Sequence, residues 1–283
     1  MHPSPSGANR LHPLSGETRV YLIVGDPIAQ VKSPAGMSLA LQHSGINGVV
    51  VPYQVSSDKF LGCMQGTLQA QNVDGLIVTM PHKFVATQLC HTLSARAAFL
   101  GAVNTLRRHA DGSMHGDMFD GLAMVQAIGQ KGGVIKGKSV LLIGAGGAGS
   151  AIAYDVCEAG AATLTIADQD AIRQHTLVQR LRTVGSTLVT AARRSGNRPV
   201  SPAGFDMVIN ATPMGMQPSD SPPFDAAQLQ TNTLVADVVT VPDLPAHLAA
   251  ARAVGCVSVS GGDMFVCVRD LMVAFFLAAG ADR

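Results

Sequence analysis

Short aliphatic and β-branched runs recur along the chain, and most are separated by stretches of helical length. The runs are YLIVG at 21–25, VVVPYQV at 49–55, GLIVT at 75–79, SVLLIG at 139–144, TLTIAD at 163–168, DMVINA at 206–211 and LVADVV at 234–239. Helical segments are expected over 35–45, 57–71, 84–98, 120–130 and 148–159. Strand–helix alternation of this kind predicts α/β layering with mainly parallel strands. The Gly- and Lys-rich stretch GQKGGVIKGKS at 129–139 reads as a connector and SGNRPVSPAG at 195–204 as a surface loop or crossover, so a boundary near 120–137 divides the chain in two. Residues 1–17, rich in Pro, Ser and Gly, read as a flexible tail without the apolar core of a secretory signal.

Composition narrows the partners. With 283 residues, 47% hydrophobic and 14% charged, the chain can bury large cores. A net charge of +1 with no basic block implies neither nucleic acid nor an anionic membrane, and a small-molecule ligand fits better. Five cysteines without CxxC spacing, mostly in apolar segments, read as reduced core residues of a cytoplasmic protein. The apolar C-terminal stretch is broken by Arg269 and Asp270, and no His/Cys cluster has metal-site spacing, so no metal is expected.

The strongest chemical signal is SVLLIGAGGAGSAIAYDV. Gly144, Gly146 and Gly149 stand in GxGxxG spacing, with Gly147 between them, after an apolar strand and before a helix. Gly144 would allow the tight turn, Gly146 the approach of a pyrophosphate to the backbone, and Gly149 close packing of helix on strand. The next strand ends in Asp168, 19 residues after Gly149, where a carboxylate can accept from ribose hydroxyls and repel a 2′-phosphate. No arginine follows at once; Arg173 comes a turn later. This predicts a Rossmann-type doubly wound domain that binds NAD in preference to NADP. NATPMGM at 210–216 follows another buried strand, and in such a sheet its Asn210, Thr212 and Met214 should lie along the nicotinamide side.

Hydride transfer from an alcohol also needs a group to move the hydroxyl proton. Lys83, just past GLIVT in VTMPHK, and Asp120, in GDMFDG at the apparent boundary, are candidates for a cleft-facing pair. Taken singly, Lys83 could be a snorkelling surface lysine and Asp120 a helix cap. His82 reads as structural or as cleft wall, while His109 and His115 flank a turn at Asp111–Gly112 and read as surface residues.

The succession VGDPIAQVKSP (24–34), GLIVTMPHK (75–83), GAVNT (101–105), GDMFDG (116–121), GAGGAGSA (144–151), NATPMGM (210–216) and GGDMFVCVRD (261–270) resembles, in order and approximate spacing, the shikimate/quinate dehydrogenases. The resemblance implies an α/β substrate domain over 18–120, completed by a C-terminal helix within 260–283, and a dinucleotide-binding domain over 121–259. It implies a catalytic Lys83 with Asp120 as its partner. It also implies that Asn104 binds substrate hydroxyls, that Thr79 lies near the substrate and that Ser33 holds its carboxylate. The expected activity is hydride transfer between NAD, or NADP, and a secondary alcohol of a cyclic hydroxy acid such as shikimate or quinate, within aromatic amino acid biosynthesis. A homodimer is compatible with it.

The departures from the family pattern matter. Val31 replaces a serine that helps hold carboxylate, Ile77 an asparagine, and Met118 and Phe119 an amide and a hydroxyl. Val268 falls where a substrate-touching glutamine is usual, and Thr240 near the place of a tyrosine. Each change removes a polar partner, and each lost bond typically costs about 1–3 kcal/mol. The pocket is therefore expected to suit a less hydroxylated or bulkier relative of shikimate, with Lys32 either helping to hold a carboxylate or lying solvated. Two other readings stay open: a non-catalytic sensor that binds NAD or an aromatic acid, favoured by the loss of polar groups, and a folate-type dehydrogenase, which leaves GAVNT and KSP unexplained.

Overall fold

The structure is a computed structural model that describes residues 11–29, 31, 33–192 and 199–278. The chain divides into two compact units, one of residues 1–118 and 269–283 and a second of residues 119–268. Lys32 lies outside the described residues, as does much of the expected loop at 195–204.

In the first unit the strands are β1 (Arg19–Gly25), β2 (Gly48–Gln54), β3 (Val73–Val78), β4 (Thr92–Leu93), β5 (Thr105–Arg108) and β6 (Met114–Asp117), with helices α1 (Pro34–His43), α2 (Phe60–Thr67) and α3 (Ala95–Leu100). The sheet order is β2-β1-β3-β5-β6-β4. β2, β1 and β3 run parallel, while β5 is antiparallel to both β3 and β6. Alternation along β1 and β3 divides the core. Leu22, Val24, Leu76 and Val78 join Phe60 and Met64 of α2 on one face. On the other, Tyr21 meets Phe276, their rings 4.6 Å apart. Gly75 is required there, because a Cβ on it would lie 2.6 Å from the Phe276 ring and 2.8 Å from the Leu106 carbonyl oxygen.

The helix expected over 84–98 is instead a 3-10 turn at Val85–Leu89, the short strand β4 and α3. The break has two causes. Thr92 and Leu93 pair with His115 and Gly116 of β6, and Ser94 caps a new helix by accepting from the Ala97 N–H at 3.2 Å. His109 and His115 flank the Asp111–Gly112 turn as expected, but both are half-buried rather than surface residues.

The second unit opens with α4 (Asp120–Gln130) and continues through β7 (Ser139–Ile143), α5 (Gly147–Glu158), β8 (Thr163–Ala167), α6 (Ala171–Leu181), β9 (Leu188–Ala191), β10 (Met207–Asn210), β11 (Leu234–Asp237), α7 (Ala246–Val254) and β12 (Val257–Val259). Its described strands form one sheet of order β12-β11-β10-β7-β8-β9, parallel throughout. The order reverses between β7 and β10, which is the topological switch point where ligands bind doubly wound sheets. The last helix, α8, spans Gly261–Ala278 and supplies residues 269–278 to the first unit. The fold is thus the α/β arrangement expected, with a Rossmann-type second unit and a C-terminal helix that returns to the first.

Candidate active site

Within the second unit, the glycines after β7 divide into two kinds. Gly144 has φ +104°, and a Cβ on it would come within 2.8 Å of the Ala211 carbonyl oxygen, so both conformation and crowding demand glycine. A Cβ on Gly149 would lie 2.0 Å from the Gly144 carbonyl oxygen, which lets α5 seat directly on the end of β7. Gly146 and Gly147 differ, since a Cβ on either would meet nothing within 4 Å. Protein packing does not require glycine at these two positions. Gly146 caps α5 and lines a cavity at that helix N-terminus, where main-chain N–H groups and the helix dipole favour a pyrophosphate. The residues therefore fit a dinucleotide.

Asp168, at the end of β8, is buried. Its carboxylate accepts from Ala145 N–H at 2.6 Å, Asp170 N–H at 2.8 Å and the Arg173 guanidinium at 2.7 Å. Burial by itself would raise this carboxyl, but the Arg173 bond and the two N–H donors outweigh it and hold it below its ordinary value. Arg173, a turn into α6, thus stands directly beside the acid, a contact that its sequence distance concealed. Gly144, Gly146, Asp168, Arg173, Thr212 and Met214 all line one cavity of about 290 Å3.

Asn210 is fully buried at the end of β10, and its side chain shapes the following loop. Its Oδ1 accepts from Thr212 N–H at 3.1 Å and Thr212 Oγ1 at 2.6 Å, and its Nδ2 donates to Met214 O at 3.2 Å and Asp237 Oδ1 at 3.3 Å. Met214 is half-buried and Met216 is 46% exposed.

In the first unit, backbone hydrogen bonds link the segments that carry Thr79, Lys83 and Asn104. β1 and β3 are parallel, and their carboxyl ends lead into the segments that carry Ser33, Thr79 and Lys83. Thr79 N–H donates to Val24 O at 2.9 Å, and the Lys83 carbonyl accepts from Val103 N–H at 2.9 Å. Asn104, 1% exposed, is held on both sides: its carbonyl accepts from Val78 N–H at 2.7 Å and its N–H donates to Asp117 O at 3.0 Å. The backbone thus brings Lys83 beside the Val103–Asn104 segment. Ser33 is buried ahead of α1, its carbonyl accepting from Met37 N–H at 2.8 Å. His82 is fully buried, stacked on Phe60 at 4.3 Å with its Nε2 on the Val55 carbonyl at 2.7 Å, so its role is structural.

Asp120 is the first residue of α4, buried, in the second unit; the cap position before it belongs to Phe119. Among the family departures, Ile77, Met118 and Phe119 are buried, Val31 and Val268 half-buried and Thr240 exposed.

Sheet order, glycine turn and strand-end acid define a two-unit α/β protein with a Rossmann-type second unit. The family model for the shikimate dehydrogenase substrate binding domain matches residues 23–106. The shikimate dehydrogenase (NADP(+)) of Rubrobacter xylanophilus is 33% identical over 249 residues, covering 88% of this chain and 87% of its own. The chain belongs to the shikimate dehydrogenase family. Among solved structures, ligand-free 5-ketofructose reductase of Gluconobacter sp. strain CHM43 superposes with a TM-score of 0.85 at 27% identity, covering 92% of this chain and 93% of its own. The quinate dehydrogenase of Corynebacterium glutamicum in complex with NAD gives 0.82 at 27%, covering 92% and 94%. No helix among the described residues is long and apolar enough to cross a membrane.

Proposed function

We propose that the protein is an NAD(P)-dependent oxidoreductase that transfers a hydride between the cofactor and a secondary alcohol of a cyclic hydroxy acid related to shikimate or quinate. The observation that carries this reading is the convergence of Thr79, Lys83 and Asn104 at one sheet end, in a chain whose relatives are named shikimate and quinate dehydrogenases. When bound, the dinucleotide supplies the hydride acceptor or donor. Lys83 takes the hydroxyl proton during oxidation and returns it during reduction. Asp120 supplies the carboxylate that orients the ammonium, Asn104 and Thr79 bind the substrate's hydroxyls, and Ser33 holds its carboxylate.

The glycine turn receives the pyrophosphate and Asp168 the adenosine ribose. The ionised Asp168 supports NAD over NADP, whereas the Rubrobacter relative is named for NADP(+). Arg173 partly neutralises the acid and could itself meet a 2′-phosphate, so the expected NAD preference is moderate. Val31 and the apolar Met118 and Phe119 support a substrate with fewer hydroxyls than shikimate.

Turnover and dinucleotide binding of a Lys83→Ala variant test the assignment. Loss of the proton carrier should lower kcat by about 10²–10⁴-fold with the dinucleotide dissociation constant unchanged. An undiminished kcat would remove Lys83 from the chemistry.

A further inference from the structure

Beneath the loop that follows β10 lies a buried polar chain for which the reaction has no use. Asp237 ends β11 with 0% exposure, and His247, in the first turn of α7, is 4% exposed. The His247 Nε2–H donates to Asp237 Oδ2. Asp237 Oδ1 accepts from Val239 N–H at 2.7 Å and from Asn210 Nδ2 at 3.3 Å. Asn210 in turn holds Thr212 and Met214.

The imidazole also supports the loop sterically. Gly215, at φ +99°, lies against the ring so closely that a Cβ would fall 2.6 Å from His247 Cε1. Phe224 meets the ring from another side, edge-on at 5.6 Å between centroids. The loop therefore has two faces. Ala211, Thr212 and Met214 line the cavity shared with Gly144 and Asp168, whereas Gly215 and His247 line a separate hollow of about 670 Å3 behind it.

We infer that His247 is a positioning residue for the nicotinamide side of the cofactor site, acting through Asp237 and Asn210 to fix the conformation of residues 211–216. This rests on the proposed function, because it assigns that loop to the nicotinamide half. The physical reason is the cost of leaving a buried carboxylate short of a donor. Without the imidazole N–H, Asp237 draws on Asn210 instead, and the bonds that Asn210 makes to the loop are the ones that weaken.

The test compares His247→Leu, which fills the site without a donor, with His247→Gln, whose amide N–H can reach the place of Nε2. Full-length protein is titrated with NADH and with ADP-ribose, which is the cofactor without its nicotinamide ring and keeps the groups assigned to the glycine turn and Asp168. His247→Leu should weaken NADH about tenfold while ADP-ribose binds as before, and His247→Gln should restore most of the loss. Equal weakening of both ligands, no weakening of either, or no rescue by glutamine would overturn the assignment. An unaltered chain that binds neither ligand would overturn the functional reading itself. Hydrogen exchange of residues 211–216 would then decide the strut alone, with faster exchange in His247→Leu supporting it and unchanged exchange refuting it.

Discussion

Lys83 and Asp168 show how differently single residues disclose themselves. Lys83 stood out because a lysine directly after an apolar strand calls for a cause, but the bond from Val103 N–H to its carbonyl, which ties down its backbone, links residues 20 apart and leaves no local trace. Asp168 was legible from its place after β8, and its ion pair with Arg173 was not, because propensity says nothing about which rotamer an arginine one turn on adopts. Asp168→Ala should weaken NAD and narrow any difference between NAD and NADP, measured as the two dissociation constants. The acid has a pH signature as well. Its folded carboxyl lies below the ordinary value of 3.8, so its contribution to stability is present above that pH and is lost as pH falls through the lower folded value. Asp168→Ala should flatten that part of the acid unfolding profile; a profile that stays unchanged would show that the ion pair contributes nothing.

At the scale of elements, the β7–turn–α5 unit separates glycines needed by the fold from glycines needed by a ligand. Gly149→Ala forces a Cβ against the Gly144 carbonyl, neither of which can yield without moving backbone, and should cost about 1–3 kcal/mol or more in chemical denaturation. Gly146 has φ −71° and an unobstructed Cβ direction, so Gly146→Ala should change stability by less than about 1 kcal/mol yet sharply weaken dinucleotide binding. Binding unaffected by Gly146→Ala would place the pyrophosphate elsewhere. The spacing and flanking elements of this motif carried the prediction from the sequence because strand, turn and helix are contiguous, although the crowding of Gly144 against Ala211 comes from a segment 67 residues on and was not legible. The helix expected over 84–98 failed for the opposite reason. Its apolar spacing is compatible with a helix, and pairing of Thr92 and Leu93 with a strand more than 20 residues away overrode it. The β5–β6 hairpin was equally silent, since TLRR and MHGD are short and polar.

For the whole molecule, alternation of strands and helices was enough to expect α/β layering, and the Gly- and Lys-rich stretch at 129–139 to expect two units. How the C-terminal segment completes the first unit follows from packing instead. Phe276 is 3% exposed against Tyr21 and Gly75, and the Arg107 guanidinium donates to Phe275 O at 3.0 Å while lying 4.7 Å above the Phe275 ring. Phe276→Ala should destabilise the first unit by about 3–5 kcal/mol in denaturant unfolding. A loss under about 1 kcal/mol would show that α8 is not integral to that core. The substrate is the level least legible in the chain, because Val31, Met118 and Phe119 tell which polar partners are missing and not what fills their place. Reduced-cofactor formation by the unaltered protein and by Lys83→Ala, with NAD and with NADP, across shikimate, quinate and less hydroxylated cyclic acids, therefore tests the dehydrogenase assignment. Lysine-dependent turnover of at least one of these acids, faster with NAD, is expected; dinucleotide binding without turnover of any of them, or turnover that survives the loss of Lys83, would refute the dehydrogenase assignment.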